Sequence, residues 1–144
     1  MRPGLLNGEV RSVLLWLPGF IVMKRCLIVD DSDVVRKVAS AILSAIGYEV
    51  IEASNGREGF DLAKAIMPDA ILLDWQIPEL AAHDFIAKLR SQTSGPRPYL
   101  VYLTTEFDHA DITRALGAGA DGCLMKPFDR ASLEDKFRLS RLAA

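Results

Sequence analysis

From Met23 onward the chain alternates short apolar runs, several of them β-branched, with longer stretches whose apolar residues recur at helical spacing, and it does so five times. The runs are Cys26 to Val29, Tyr48 to Glu52, Ala70 to Leu73, Tyr99 to Leu103 and Gly122 to Met125. Between the first two, Val34, Val35, Val38, Ala39, Ile42, Leu43 and Ile46 mark one helical face, with Asp31 or Ser32 available as the cap and Gly47 as the stop. Further helices are expected near Gly56 to Ile66, Ala82 to Arg90, Ala110 to Gly117 and Asp129 to Leu142. Strands that alternate with helices in this way pair in parallel through right-handed crossovers, so the expected fold is α/β: a doubly wound (βα)5 with a five-stranded parallel sheet covered on both faces. In such sheets ligands gather at the carboxyl ends of the strands.

With 144 residues, the chain fits one domain, expected over residues 23–144, and no effector module is expected after the fifth helix. Residues 1–22 read as an extension. Its apolar stretch from Val13 to Met23 follows Arg2 and Arg11 like a weak signal peptide, but Pro18 and Gly19 interrupt it, no small-x-small cleavage site follows, and it is too short to cross a bilayer. A non-essential extension is the expectation, with docking onto the domain or onto a partner as the other reading. The formal net charge of −2 gives no general attraction for polyanions, so neither nucleic acid nor membrane is an expected partner. Cys26 and Cys123 each lie in an apolar run without a CxxC motif or a His/Cys cluster, and both are expected to be buried reduced thiols of a cytoplasmic protein.

Reactive residue types stand just after four of the five runs: Asp30 and Asp31 after the first, Asp74 after the third, Thr104 and Thr105 after the fourth, Lys126 and Pro127 after the fifth. Three carboxylates on one rim repel one another unless a divalent cation sits among them, and hard oxygen donors suit Mg2+. On this reading Asp31 and Asp74 hold the cation, Asp30 acts through a bound water, and the ammonium of Lys126 lies on the far side. Asp74 keeps one oxygen to attack phosphorus. The cation and Lys126 would then neutralise the transferring phosphoryl oxygens, with Thr104 donating a hydrogen bond to one of them. Each residue alone has a plainer use, Asp30-Asp31-Ser32 as a helix cap and Asp74 before Gln76-Ile77-Pro78 as a turn former, so the weight rests on their joint placement. Pro127 fixes a turn and is a candidate for a cis bond.

The segments LIVDDS, LLDWQIP, YLTT and LMKPF resemble the four signature segments of response-regulator receiver domains, in order and approximate spacing. CLIVDDSDVVRKVA and AILLDW look more specifically like the stand-alone chemotaxis-type regulators of two-component signalling. The resemblance implies a flavodoxin-like fold of strand order 2-1-3-4-5, an order for which a chemotaxis receiver is a standard example. It further implies Asp74 as phosphoacceptor, Asp30 and Asp31 as the acidic pair for Mg2+, the Gln76 carbonyl as a further metal ligand, Thr104 as the switch hydroxyl and Lys126 as the phosphate-binding lysine. Gln76 and Glu106 would modulate the lifetime of the acyl phosphate, with Trp75 and Thr105 beside them. The implied partners are a histidine kinase or phosphotransfer protein and a downstream protein target, met through the fourth helix, fifth strand and fifth helix; a monomer is expected, with a dimer left open. Beyond accepting and losing its own phosphoryl group, such a protein is not an enzyme.

Three departures bear on output. Cys123 stands where receivers usually carry an aromatic residue in the fifth strand, Thr105 replaces a typically small residue, and Ala81-Ala82 replaces the usual Asp-Gly, which would cost backbone freedom if a positive φ is needed there. Readout by the same surface would then draw on Tyr102, Phe107 or Phe128, while His83 and His109 read as solvent-facing. A receiver-like binding module that signals without phosphorylation is the main alternative. A flavin protein would need a Ser/Thr/Gly-rich first loop, which Asp30-Asp31 contradict, and an aspartate-nucleophile phosphatase a second Asp where Gln76 stands.

Overall fold

In the computed structural model, residues 23–92, 97–105 and 108–143 are described. The expected extension 1–22 and the positions of Glu106 and Phe107 lie outside them. Strands β1 (Lys24–Val29), β2 (Tyr48–Ala53), β3 (Ala70–Asp74), β4 (Tyr99–Thr104) and β5 (Gly122–Met125) alternate with helices α1 (Asp33–Ala45), α2 (Gly56–Ile66), α3 (Ala82–Gln92), α4 (His109–Ala118) and α5 (Arg130–Ala143). The five strands form one parallel sheet in the order β2-β1-β3-β4-β5.

Period-two alternation along each strand divides the core into two layers. Cys26 and Ile28 of β1, Leu72 of β3 and Val101 and Leu103 of β4 pack against Ala39, Ile42 and Leu43 of α1 and Leu133 and Phe137 of α5. Their neighbours Leu27, Val29, Ile71, Leu73, Leu100 and Tyr102 face the other way, onto Phe60 of α2, Phe85, Ile86 and Leu89 of α3 and Ala115 of α4. The central strand β3 is buried at every position, as a strand covered on both faces must be.

Polar side chains set the helix ends. Ser32 caps α1 by accepting from the Val35 amide, Asn55 caps α2 through Glu58, and Asp108 caps α4 through Ala110 and Asp111. Gly47, at φ +103°, turns the chain out of α1. The segment after β3 resolves the question raised by Ala81-Ala82: the positive φ falls on Glu79, at 73°, and Ala82 starts α3. Those alanines therefore meet no left-handed requirement. The Lys126–Pro127 peptide bond is cis.

Candidate phosphoryl-acceptor site

Apart from tyrosine and cysteine, only three polar or charged residues are buried among those described, Asp30, Asp74 and Thr104. All three stand where strands end on one rim of the sheet. The strand ladders carry the chain to this rim in register: the Asp30 amide donates to the Ala53 carbonyl at 3.1 Å, the Trp75 amide to Leu103 at 2.8 Å, and the Lys126 amide to Thr104 at 2.7 Å. Each functional side chain thus leaves backbone that is still held by its neighbouring strand.

Lys126 joins the two buried acids. Its Nζ lies 2.9 Å from Asp30 Oδ2 and 2.8 Å from Asp74 Oδ1. The sequence reading put this ammonium on the far side of a cation; it stands instead between the two carboxylates, where it supplies the counter-charge that two buried negative charges need. Burial works against the charged ammonium, but the two carboxylates outweigh it and hold the Lys126 pKa above its ordinary value. Burial pushes the Asp74 carboxyl up, Lys126 pulls it back, and the nearby Asp30 charge pushes it up again, leaving it raised. The other Asp74 oxygen accepts from the Gln76 amide at 3.3 Å, and Asp30 Oδ1 accepts from the Ser32 amide at 2.8 Å.

Asp30, Asp31 and Asp74 each offer an oxygen, and these three atoms lie within 4.8 Å of one another. Oxygens ligating the same Mg2+ directly stand at most about 4.2 Å apart. The span therefore suits two direct carboxylate ligands and a third acting through water or a small adjustment. Asp30 Oδ2 and Asp74 Oδ1 are buried, and Lys126 Nζ is the charged neighbour of both. Buried hard oxygens with spare acceptor capacity are what a small divalent cation requires, so the residues fit Mg2+. Asp31 is exposed at the mouth of the cluster.

Of the other residues singled out from the sequence, Trp75 is half-buried, Gln76 and Thr105 are exposed, and Phe128 packs against the α1/α5 layer. Three expectations change. Cys123 is a free thiol but only half-buried, because β5 is an edge strand; Cys26 is free and fully buried, and burial pushes its thiol well up. Tyr102 is fully buried, so it does not belong to an exposed readout surface. Its hydroxyl donates to Asp111 Oδ2 on α4 at 2.7 Å. His83 is not solvent-facing: its Nε2 lies 2.9 Å from Asp111 Oδ1, and its ring packs 5.6 Å from that of Tyr102. His109 is exposed, as expected.

This Tyr102–Asp111–His83 network went unseen in the sequence because its members come from β4, α4 and α3 and share no motif. In register, Tyr102 lies directly beside Cys123. An aromatic ring thus stands one strand inward of Cys123, its hydroxyl bonded to Asp111 of α4.

The profile of the response regulator receiver domain family matches residues 26–138. Over 117 residues the chain is 33% identical to "Chemotaxis protein CheY1" of Helicobacter pylori, covering 80% of this chain and 94% of that one. The chain is also 36% identical over 115 residues to "Probable transcriptional regulator ycf27" of Guillardia theta, covering 80% of this chain but only 44% of that longer relative. Among solved structures, the chemotaxis response regulator CheY4 of Vibrio cholerae superposes with a TM-score of 0.77 at 31% identity, over 83% of this chain and 99% of that one.

Proposed function

The chain belongs to the response regulator receiver domain family, and from that premise we propose that it accepts a phosphoryl group onto Asp74 with Mg2+ and thereby switches a protein-binding surface. The observation that carries this reading is the Asp30–Lys126–Asp74 cluster, a buried acid pair bridged by one ammonium at 2.9 and 2.8 Å. One Asp74 oxygen attacks phosphorus, and the P–N bond of a kinase or phosphotransfer-protein phosphohistidine breaks. The electron pair of that bond returns to the donor imidazole nitrogen, which takes up a proton from solvent. A small acyl phosphate would serve in the same way, losing its carboxylate. Asp30, Asp31, Asp74 and the Gln76 carbonyl would hold Mg2+, which would supply positive charge beside the phosphoryl oxygens. Lys126 turns from its two acids toward those oxygens, and Thr104, at the end of β4, gives a hydroxyl donor.

For output, the candidate surface is formed by α4, β5 and α5. Leu116 on α4 and Met125 on β5 are exposed large apolar side chains, at 45% and 39%, which suits a protein target. The Tyr102–Asp111–His83 contacts supply a physical link from β4, two residues before Thr104, to α4. No helix among the described residues is long and apolar enough to cross a membrane, and a cytoplasmic place in two-component signalling is the reading adopted. The similarity over nearly the full length of two chemotaxis proteins favours a stand-alone role in chemotaxis-type signalling. Apart from its own phosphorylation and dephosphorylation, it is read as a non-enzyme.

The half-buried Cys123, in place of an aromatic, favours one other reading, a binding module that needs no phosphorylation. Intact mass after incubation with acetyl phosphate separates the two. A Mg2+-dependent gain of one phosphoryl group, absent from Asp74→Asn, supports the receiver reading. No gain from a folded chain contradicts it.

A further inference from the structure

We infer that Arg36 is a positioning residue for the cation site, fixing the β1–α1 junction so that Asp30 and Asp31 meet Asp74. The inference rests on the proposed Mg2+ site. Arg36 sits one turn into α1, its amide bonded to the Ser32 carbonyl, with its side chain only 13% exposed. Its guanidinium makes three contacts at once. Nη1 donates to the main-chain carbonyl of Asp30 at 2.6 Å, Nε donates to Glu52 Oε1 on β2 at 3.2 Å, and Nη2 pairs with Asp33.

The Asp30 backbone is therefore held from both sides, its amide by Ala53 and its carbonyl by Arg36. That peptide links Asp30 to Asp31, so the direction of both carboxylates follows from where its carbonyl is anchored. A planar guanidinium fork holds three acceptors in fixed relative directions, which a single ammonium does not. Nothing in a lone arginine of a capped helix signals this, since such residues ordinarily face water.

Charge and geometry make opposite predictions here. If Arg36 acted only through its charge, Arg36→Ala would remove a cation near the site and tighten Mg2+, while Arg36→Lys would leave it unchanged. If Arg36 positions Asp30 and Asp31, both variants weaken Mg2+, because lysine keeps the charge and loses the fork. Titrating the full chain and each variant with MgCl2 by calorimetry, with urea unfolding as a control for folding, decides between them. The expected loss of affinity is about tenfold for Arg36→Ala, the lower end for removing a group that orients metal ligands, and several-fold for Arg36→Lys. Unchanged or tighter binding in a folded Arg36→Lys overturns the positioning role even if Arg36→Ala fails to fold. Failure of the unaltered chain to bind Mg2+ overturns the metal reading itself, and this inference with it.

Discussion

Lys126 reaches from the end of β5 to within 2.8 Å of Asp74 at the end of β3, across the intervening strand β4. With Asp30 on its other side, the ammonium offsets a buried pair of negative charges that the fold would otherwise be unable to keep ionised. The same arrangement prepares the rim for a ligand that brings its own charges, and it makes the cost of losing the lysine measurable.

Replacing Lys126 with Met should therefore destabilise the protein without Mg2+ by roughly 2–4 kcal/mol, the cost of leaving buried charge uncompensated. Saturating Mg2+ should recover much of that loss, since the cation takes over the neutralisation. Urea unfolding with and without MgCl2 checks both parts; equal losses in the two conditions would show that the lysine serves packing rather than charge.

The raised Asp74 carboxyl has a definite consequence for pH. The folded protein holds this proton more tightly than the unfolded chain, so the contribution is stabilising, complete below the unfolded carboxyl range near about 3.9, and lost as pH rises through the raised folded value. Without Mg2+, the unfolding free energy of the protein relative to Asp74→Asn should drift against the unaltered chain as pH rises from about 4 to about 7. Mg2+ competes with the same proton, so its affinity should climb over the same interval. A Mg2+ affinity independent of pH there would contradict the assignment of the shift to Asp74.

Gly56 is predicted to be intolerant of a side chain for a reason remote from its φ. Its amide donates to the Pro78 carbonyl at 3.0 Å, and a Cβ there would clash with the Leu80 carbonyl oxygen and stand 2.8 Å from Leu80 Cβ. Backbone cannot give way as a flexible side chain can, so Gly56→Ala should cost about 1–3 kcal/mol and displace the loop that follows Asp74. Thermal unfolding together with Mg2+ titration would detect both effects, and a fully stable variant would show that the β3–α3 loop is freer than its contacts imply.

Asp111 binds the hydroxyl of Tyr102 and the ring of His83. Burial works against its ionised form, but His83, Tyr102 and Arg114 prevail and hold its pKa below the ordinary value. Its stabilising contribution is thus present above the unfolded carboxyl range and lost as pH falls through the lower folded value. Tyr102→Phe should cost about 1.5–3 kcal/mol near neutral pH, as expected for a buried hydrogen bond to a charged group. The gap between the protein and Asp111→Asn should narrow below about pH 4. Stability curves of the three proteins against pH test this, and a gap that widens on acidification would contradict it.

How far the sequence foretold this arrangement follows from where each residue stands. Asp30, Asp74, Thr104 and Lys126 were legible because each closes or follows an apolar run, and parallel strands deliver such positions to one rim. The helices were legible from apolar spacing and from caps such as Ser32 and Asn55. The positive φ at Glu79 was not, because the turn residue is neither glycine nor asparagine. Cys123 read as buried from its apolar run, whereas burial at that position depends on β5 lying at the sheet edge, a property of strand order rather than of local composition. His83 likewise finds its partner Asp111 28 positions away, and Arg36 one of its three partners, Glu52, 16 positions away.

Of the three clustered acids, Asp74 is the one expected to carry the phosphoryl group. Treating the acetyl phosphate-incubated chain with borohydride converts an aspartyl phosphate to homoserine, which peptide mass mapping locates to a single residue. Homoserine is expected at position 74, formed only when Mg2+ was present during phosphorylation. Homoserine at position 30 or 31, or none in a folded chain, would contradict it.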